Sequence, residues 1–402
     1  MLPGGERPAS SYHGGNRCGT VGGTTCGPEE MTMRLATFNV ENMFERAKAM
    51  NLATWAEGRP ILEDFGRLNA LIQEPVYSPA VVTELLDIIR RHRGLGSRGQ
   101  SKYIRLRVIR GAFLRSRAGV LEIAAAMRED WVGWFELEKE PVKAAATDNI
   151  ARIVGLVGAD VLCVVEAENR TLLKRFNDRV MTRLHGNPYR HVMLIDGNDD
   201  RGIDVGILTK MDYPIVRMLS HVDDKDPEGT IFSRDCAEYE IKTPQGATLL
   251  VLLNHFKSKG YGKPAESAAK RLRQAQRVRD IYDDYRQKGY EYVAVVGDLN
   301  ETPDGAPIGP LVGDGSTLTD IMAHPRFVGD GRPGTHGNGT KTGKFDYILM
   351  SPRLSDRVVR GGIERRGVWG GANGTLFPHL ETIRTKQDAA SDHAALWVDL
   401  DI

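Results

Sequence analysis

Short apolar runs recur along most of the chain, separated by polar stretches, and they predict an α/β protein. Residues 161–165, 248–253 and 293–296 are apolar and rich in β-branched side chains, as buried strands are. Residues 150–157 place apolar side chains at helical spacing, and residues 265–287 are a second, arginine-rich predicted helix. The alternation predicts sheets covered by helices. By the same criteria we predict further strands at 34–39, 191–195, 204–208, 237–241, 345–350 and 395–400.

Residues 45–146 interrupt this alternation. Ser78 followed by Pro79 is typical of a helix start, and apolar side chains continue at helical spacing to about His92. Residues 104–108 alternate apolar and basic side chains, which predicts a strand. We therefore expect an insertion of about 100 residues, with helices and strands, after the first strand of the fold.

The first 30 residues are predicted to be a disordered extension, and residues 31–402 to form one domain. The extension is rich in glycine and has almost no apolar side chains to bury. Met31 and Met33 lie directly before the first strand, so we expect one of them to be the natural start. The extension lacks the apolar core of a signal peptide, and no apolar run approaches the ~18 residues of a membrane span. These features predict a cytoplasmic protein.

Composition and cysteine spacing exclude several classes of protein. Hydrophobic residues make up 41% of the chain and charged residues 27%, as in ordinary soluble domains. The four cysteines have no CxxC spacing, and Cys163 lies within an apolar run. A disulfide framework or a structural zinc site is therefore not expected.

Charge is distributed unevenly along the insertion. The stretch between Asp87 and Glu122 has ten lysines and arginines and no acidic residue, whereas the whole chain has a formal net charge of only +1. Such a block is typical of a surface that contacts a polyanion. A solvated face, or pairing with acidic residues elsewhere in the chain, would give the same pattern. The cations that we assign to substrate binding are Arg105, Arg107 and Arg110 in this block, with Lys257, Lys259 and Arg271 further along the chain.

Polar side chains follow one predicted strand after another. Asp298 and Asn300 come directly after residues 293–296, at a spacing that points both side chains to the same face of an extended segment. A turn would also use these residue types. The residues that follow strands in this way, or precede the last one, are Asn39, Glu41, Glu166, Asn254, His255, Asp298, Asn300, Asp346, Asp392 and His393. If the strand ends meet at one edge, they form an acidic pocket with two histidines, and oxygen ligands of this kind favour Mg²⁺ or Mn²⁺ over zinc.

Six short motifs together resemble those of a known family. They are Phe38-Asn39-Val40-Glu41, Glu166, Asn254-His255, Gly297-Asp298-Leu299-Asn300, Phe345-Asp346-Tyr347 and Ser391-Asp392-His393. In this order and spacing they resemble the endonuclease/exonuclease/phosphatase superfamily, which includes deoxyribonucleases, abasic-site endonucleases, sphingomyelinases, inositol polyphosphate phosphatases and deadenylases. The sequences around Glu166 and Asn254 are most similar to the bacterial nuclease branch.

The resemblance implies a fold and a metal site. The fold is a four-layer α/β sandwich of two mixed β-sheets flanked by helices, with the site at one end. Glu166 would bind a divalent cation, Mg²⁺ or Mn²⁺. Asn39, Glu41 and Asp392 would complete the metal site.

The resemblance also implies catalytic roles. Asp298 would orient or deprotonate the attacking water, and Asn300 would stabilise the transition state. His393 would contact the scissile phosphate, with its ring oriented by Asp346. His255 would be a second histidine on the phosphate.

These observations predict a divalent-metal-dependent phosphodiester hydrolase, with nucleic acid as its substrate. Glu301-Thr302-Pro303 follows Asn300, and this differs from the aromatic-arginine continuation of inositol phosphatases, which counts against that activity. A phosphodiesterase or phosphatase acting on a lipid headgroup or a small nucleotide is the alternative enzyme. A catalytically silent nucleic-acid-binding module is a third hypothesis, but it would be expected to lack the site residues, which are all present.

Overall fold

The computed structural model describes most of the chain. The described residues are 32–41, 43, 45–52, 55–186, 189–199, 201–259 and 263–402. The predictions for residues 1–30 and for Met31 as a start lie outside this part of the chain.

Strands and helices alternate through the described residues. The strands are β1 (Met33–Asn39), β2 (Glu45–Ala47), β3 (Ile104–Arg110), β4 (Leu114–Arg117), β5 (Val120–Ile123), β6 (Val132–Leu137), β7 (Lys139–Pro141), β8 (Val161–Ala167), β9 (His191–Ile195), β10 (Asp204–Thr209), β11 (Ile215–Leu219), β12 (Lys225–Asp226), β13 (Gly229–Thr230), β14 (Cys236–Lys242), β15 (Thr248–His255), β16 (Tyr292–Asp298), β17 (Thr319–Asp320), β18 (Phe327–Val328), β19 (Asp346–Met350), β20 (Val358–Glu364) and β21 (Ala395–Leu400). The α-helices are α1 (Trp55–Ile72), α2 (Pro79–Arg91), α3 (Leu95–Arg98), α4 (Ala144–Val157), α5 (Arg170–Arg175), α6 (Thr182–His185), α7 (Pro264–Gln287), α8 (Gly309–Val312) and α9 (Pro352–Ser355). A π-helical turn, Phe176–Met181, links α5 to α6.

Two mixed sheets form the centre of the fold. The first has seven strands in the order β18-β20-β21-β1-β8-β10-β9, and the second has six in the order β11-β14-β15-β16-β19-β17. Each sheet contains one long parallel pair, β1 with β8 and β15 with β16. Strands β19 and β21 run antiparallel to β16 and β1. The carboxyl ends of the parallel strands and the starts of β19 and β21 therefore lie at the same edge of each sheet.

Three apolar layers hold the sheets and helices together. Leu35, Val251 and Ile348 belong to a fully buried cluster whose residues come from both sheets, so it fills the space between them. A second cluster joins the outer face of the first sheet to α4, and a third joins the outer face of the second sheet to α7. This arrangement confirms the predicted α/β sandwich of two mixed sheets flanked by helices.

The insertion enters and leaves the sandwich through a narrow antiparallel ribbon. Strand β2 pairs with β7, so that Ala47 lies opposite Lys139. Between these strands, α1 and α2 pack with the β3–β6 and β4–β5 ribbons around a separate core that includes Leu68, Trp131 and Phe135. The predicted helix start at Ser78 is confirmed, because its hydroxyl oxygen accepts a hydrogen bond from the Val81 amide at 3.3 Å.

Strand β20 was not predicted from the sequence. Its Gly361-Gly362 pair is more typical of a turn than of a strand. In the fold, a Cβ at Gly361 would lie 2.6 Å from Ile321 Cδ1, and one at Gly362 would lie 2.5 Å from Trp397 Cζ2. The glycines therefore make room for neighbouring side chains. Among the described helices, none is both long enough and apolar enough to cross a membrane.

Candidate active site

The predicted site residues meet at one edge of the two sheets. Asn39 ends β1, and Glu166 lies near the end of β8 in the same sheet. His255 and Asp298 end β15 and β16 and lie opposite each other in the parallel register. Asp346 begins β19 and pairs with Asp298 in the antiparallel register. The site therefore follows from the strand directions.

Asp298 lies at the centre of this group. Its Oδ2 accepts a hydrogen bond from Asn39 Nδ2 at 3.2 Å, and its Oδ1 accepts one from the backbone N–H of Asn300 at 2.8 Å. The side chain is buried, and burial together with the nearby Asp346 carboxylate raises the pKa of Asp298 to about 7. Gly297, directly before Asp298, allows the backbone of β16 to lie close to that of β15, because a Cβ at this position would lie 2.0 Å from the Asn254 carbonyl oxygen.

His393 is held next to Asp298 by a carboxylate. Its Nδ1 lies 2.7 Å from Asp346 Oδ2, and its Nε2 lies 3.8 Å from Asp298 Oδ2. Burial alone would lower the pKa of His393, but the surrounding carboxylates, Asp346 first, outweigh it and raise the pKa well above its ordinary value. These carboxylates therefore favour the protonated form of the ring, whose Nε2 lies on the side of Asp298. The Ser391 hydroxyl fixes the backbone here by donating to the Asn39 carbonyl at 2.7 Å and accepting from the His393 amide at 3.0 Å.

His255 differs from His393 in the direction of its pKa shift. Its Nε2 lies 3.7 Å from Glu166 Oε1 and 3.9 Å from Asp298 Oδ2. Burial, and then the positive charges of Arg234 and Arg201, lower the pKa of His255 well below its ordinary value. The surroundings of the two histidines therefore shift their pKa values in opposite directions. Asn300 is held beside them because its Nδ2 donates to the Phe256 carbonyl at 3.2 Å.

A second group of carboxylates lies beside this one. Glu41 Oε2 accepts a hydrogen bond from the Asp392 amide at 3.1 Å, and Glu41 Oε1 lies 2.9 Å from Arg46 Nη1. Burial, then the charge of Asp392 and more weakly that of Glu166, raise the pKa of Glu41 to about 7 despite Arg46. The excess of negative charge fits a hard divalent cation, and the oxygen-rich donor set fits Mg²⁺ or Mn²⁺.

Histidines also lie close enough to take part in metal binding. Ligand atoms of Asp298, Asp346 and His393 lie within 4.8 Å of one another, as do those of His336, Asp392 and His393. Asp346 Oδ1 has no hydrogen-bond partner although it is buried. Both groups of residues belong to the same edge of the sandwich, so acidic and histidine side chains at this edge could hold a metal ion.

Backbone strain is concentrated at the site. Four non-glycine residues of the described chain have a positive φ, and three of them are site residues: Glu41 at 49°, Glu166 at 66° and Asn300 at 51°. A left-handed conformation costs non-glycine residues of order 1–3 kcal/mol each, and it persists where the surrounding contacts require it. Here it turns polar side chains into the pocket at the strand ends.

The sequence analysis missed two residues that contact the site. His336 forms a β-bridge with His393, and its Nε2 lies 3.3 Å from Asp392 Oδ2. Burial alone would lower the pKa of His336, but the contact with Asp392 raises it. His336 lies in a glycine-rich loop that carries no motif, so no local signal identified it. Arg46, the second residue, was not recognised because it lies in the first strand of the insertion, outside the motifs.

The cations that we assigned to substrate binding lie in different surroundings near the pocket. Arg271 is 3% exposed, and its Nη2 lies 3.1 Å from Glu301 Oε2. Its Nη1 donates to the Lys257 carbonyl at 3.0 Å. Lys259 is ion-paired with the same Glu301. Arg271 and Lys259 therefore hold the loop after β15 in place, whereas Lys257 lines a cavity beside the site.

The structure places part of the basic block of the insertion in ion pairs. Arg105 Nε lies 2.6 Å from Glu138 Oε1, and Arg107 Nε lies 2.6 Å from Glu136 Oε1. Both acids lie on or directly after β6, the strand that pairs with β3. Arg110 makes no ion pair within the described chain. The partners that the sequence analysis left open thus lie within the insertion for two of these three arginines.

Comparison with known proteins bears on the family of this chain. Residues 142–311 match the model of the endonuclease/exonuclease/phosphatase family, which confirms the resemblance indicated by the motifs. The matched residues contain Glu166, His255 and Asp298. No match was found among curated protein sequences.

Three solved structures are similar in fold. A mannosyl-6-phosphatase of Bacteroides thetaiotaomicron is 18% identical, with a TM-score of 0.47, over 63% of this chain and 89% of that chain. Truncated TDP2 of Caenorhabditis elegans is 16% identical, with a TM-score of 0.44, over 64% and 91%. The catalytic domain of human Nocturnin is 15% identical, with a TM-score of 0.44, over 65% and 87%.

Proposed function

We propose that this protein is a divalent-metal-dependent phosphodiester hydrolase, and specifically a nuclease. The observation that carries the proposal is the pairing of a buried carboxylate, Asp298, with an imidazolium, His393, whose Nε2 lies 3.8 Å from it. A carboxylate with a pKa near 7 can accept a proton from water, and an imidazolium can stabilise charge on phosphate. The pocket edge offers both groups to one reacting phosphorus.

The proposed reaction is an in-line attack of water on a phosphodiester. Asp298 takes the proton of the attacking water, while the amide of Asn39 fixes the carboxylate orientation. His393 contacts a phosphate oxygen, and Asp346 keeps its ring in place. The side-chain amide of Asn300 stabilises charge on the phosphorane-like transition state.

Metal binding completes the proposal. Glu166, Glu41, Asp392 and the amide oxygen of Asn39 would hold the ion. When bound, Mg²⁺ or Mn²⁺ would neutralise charge that develops on the phosphate oxygens. His255, kept neutral by burial and by neighbouring cations, would contact the phosphate without adding a further charge. A cytoplasmic location remains a prediction.

Hydrolysis assays test the proposal directly. Labelled DNA, labelled RNA and a phospholipid are incubated with the protein in Mg²⁺ or Mn²⁺ and in EDTA. We expect cleavage of a polynucleotide that stops in EDTA. Exclusive cleavage of the phospholipid would support the alternative substrate class, and absence of any metal-dependent hydrolysis would refute the proposal.

Two variants with matched controls locate the chemistry. Asp298→Asn and His393→Ala should each lower kcat by ~10²–10⁴, the usual contribution of a positioned acid or base. Asp304→Asn and His324→Ala change the same residue types outside the site and should retain full activity. Full activity of Asp298→Asn would show that the chemistry lies elsewhere.

A further inference from the structure

A cavity of about 380 Å³ lies beside the candidate active site. Helix α1 of the insertion contributes Phe65 and Gly66 to its wall, and the sandwich contributes the remaining described residues. The described cations that line it are Arg201, Arg234, Lys257 and Lys270. Asp199 is the one acidic residue among the described lining residues.

The described lining of this cavity has four cations and one acid. Asp199 Oδ2 lies 2.7 Å from Arg201 Nη2 and 2.8 Å from Arg234 Nε, so one carboxylate is shared by two arginines. Arg234 is only 1% exposed. Burial and then the charges of Arg234 and Arg201 lower the pKa of Lys257 to about 8, and burial followed by Arg273 lowers the pKa of Lys270. A bound anion would relieve this repulsion.

Hydrogen bonds link the lining of the cavity to the candidate active site. Arg234 Nη1 donates to the Phe256 carbonyl at 3.0 Å, and Asn300 Nδ2 donates to the same oxygen at 3.2 Å. Lys257 follows His255 by two residues along the chain. The shared Phe256 carbonyl thus places Arg234 of the cavity and Asn300 of the candidate active site on the same stretch of backbone after β15.

We propose that this cavity is a subsite for a second phosphate group of the substrate, next to the scissile one. The proposal rests on the proposed function, and it narrows the substrate class to phosphodiesters with an adjacent phosphate. Arginine and lysine side chains match phosphate oxygens in charge and hydrogen-bonding capacity. Phe65 and Phe232 give the cavity an apolar side that can pack against a sugar or a base. The wall from α1 makes the insertion part of substrate recognition.

Binding measured without turnover tests the subsite. Calorimetric titrations in EDTA compare the dinucleotide TpT, whose only phosphate is the scissile one, with pTpT and TpTp, which carry a terminal phosphate on either side. We expect one of the phosphorylated forms to bind roughly 10- to 100-fold more tightly than TpT, the usual value of a charge-assisted contact. Equal affinities for all three would overturn the subsite.

Variants assign the preference to the cavity. In Lys270→Gln the affinity ratio of the preferred form to TpT should fall at least fivefold, and Lys257→Gln provides a second variant if the first is unstable. Lys288→Gln changes a lysine at the far end of the same helix and should leave the ratio unchanged. A ratio that persists in both cavity variants would place the terminal phosphate elsewhere.

The outcome is independent of the hydrolysis assay. If no substrate is hydrolysed in Mg²⁺ or Mn²⁺, the proposed function fails, but the affinity ratio in EDTA still decides whether the cavity binds phosphate. If hydrolysis occurs and the ratio is one, the function stands and the subsite is refuted.

Discussion

Asp298 illustrates at the scale of one residue how a catalytic site works against stability. A buried carboxylate with a pKa near 7 resists the ionisation that its proposed role requires. In the unfolded chain the same group ionises near its ordinary value of 3.8. Between these two values the folded state binds more protons than the unfolded state. The stability of the protein should therefore fall as pH rises through this window, and the full penalty applies above pH 7.

This pH dependence gives the first prediction. In EDTA, Asp298→Asn should be more stable than the wild type at pH 8, by on the order of 1 kcal/mol or more, because the neutral amide has no ionisation penalty. The difference should vanish near pH 4, where the wild-type carboxyl is protonated in the folded state. Urea unfolding at both pH values measures this difference, with Asp284→Asn at an exposed position of α7 as a control for the substitution itself. A variant that is less stable at pH 8 would contradict the proposed penalty.

The pair formed by His393 and Asp346 gives the second prediction. Because Asp346 contacts the ring nitrogen that points away from Asp298, it should act mainly through the histidine, although its charge also raises the pKa of Asp298. Asp346→Asn should lower kcat, and in a His393→Gln background the same change should have a much smaller further effect. A double-mutant cycle measures this coupling. Additive losses would mean that Asp346 contacts substrate or metal independently.

At the scale of elements, the β3–β6 ribbon explains why charge patterns in the sequence mislead. Arg105 and Arg107 have their partners at Glu138 and Glu136, about 30 residues away along the chain. Those partners face the arginines only because of the antiparallel register. A window of sequence that contains the ten cations excludes the acids that neutralise some of them.

The third prediction concerns the salt dependence of polynucleotide binding. The plot of log affinity against log salt has a negative slope, and Arg110→Gln should make this slope less steep by at most about 0.9, the value of one phosphate contact on duplex DNA. The matched variant Arg105→Gln with Arg107→Gln should change the slope less, because those guanidinium groups are already paired. A larger effect of the double variant would show that the ion pairs open to bind substrate.

The buried strands were the elements predicted most reliably from the sequence. Apolar runs at 161–165, 248–253 and 293–296 fall within β8, β15 and β16, since a strand buried on both faces needs no partner to be recognised. Strand β20 was missed because its glycines serve side chains from other elements. The convergence of the strand-end residues was predictable from strand direction. The contact of His336 with Asp392 depends on loop geometry, which leaves no periodic signal.

At the scale of the whole molecule, the insertion has a hydrophobic core of its own. Among the described residues, this core draws only on those between Ala47 and Leu137, and the two ends of the insertion meet across the ribbon of β2 and β7. A segment whose ends are adjacent can be replaced by a tight turn at little cost in loop closure.

The fourth prediction follows from this attachment. Replacing residues 48–138 by Asn-Gly, a preferred two-residue hairpin turn, should leave the sandwich folded and able to hydrolyse TpT. The preference for a terminal phosphate should fall, because the cavity loses the wall supplied by Phe65 and Gly66. Circular dichroism and the titrations described above measure both effects. An insoluble or unfolded product would show that the insertion stabilises the sandwich core.

The position of β1 also determines the order in which the protein can assemble during synthesis. Met33 lies opposite Leu400, so the backbone hydrogen bonds of β1 are complete only after β21 has been synthesised. The core of the insertion contains no described residue of β21, so its packing does not depend on that strand. His393 also emerges from the ribosome well after the insertion. A chain that stops between the insertion and His393 therefore has the residues of the insertion core, but it has neither the β21 partner of β1 nor this residue of the candidate active site.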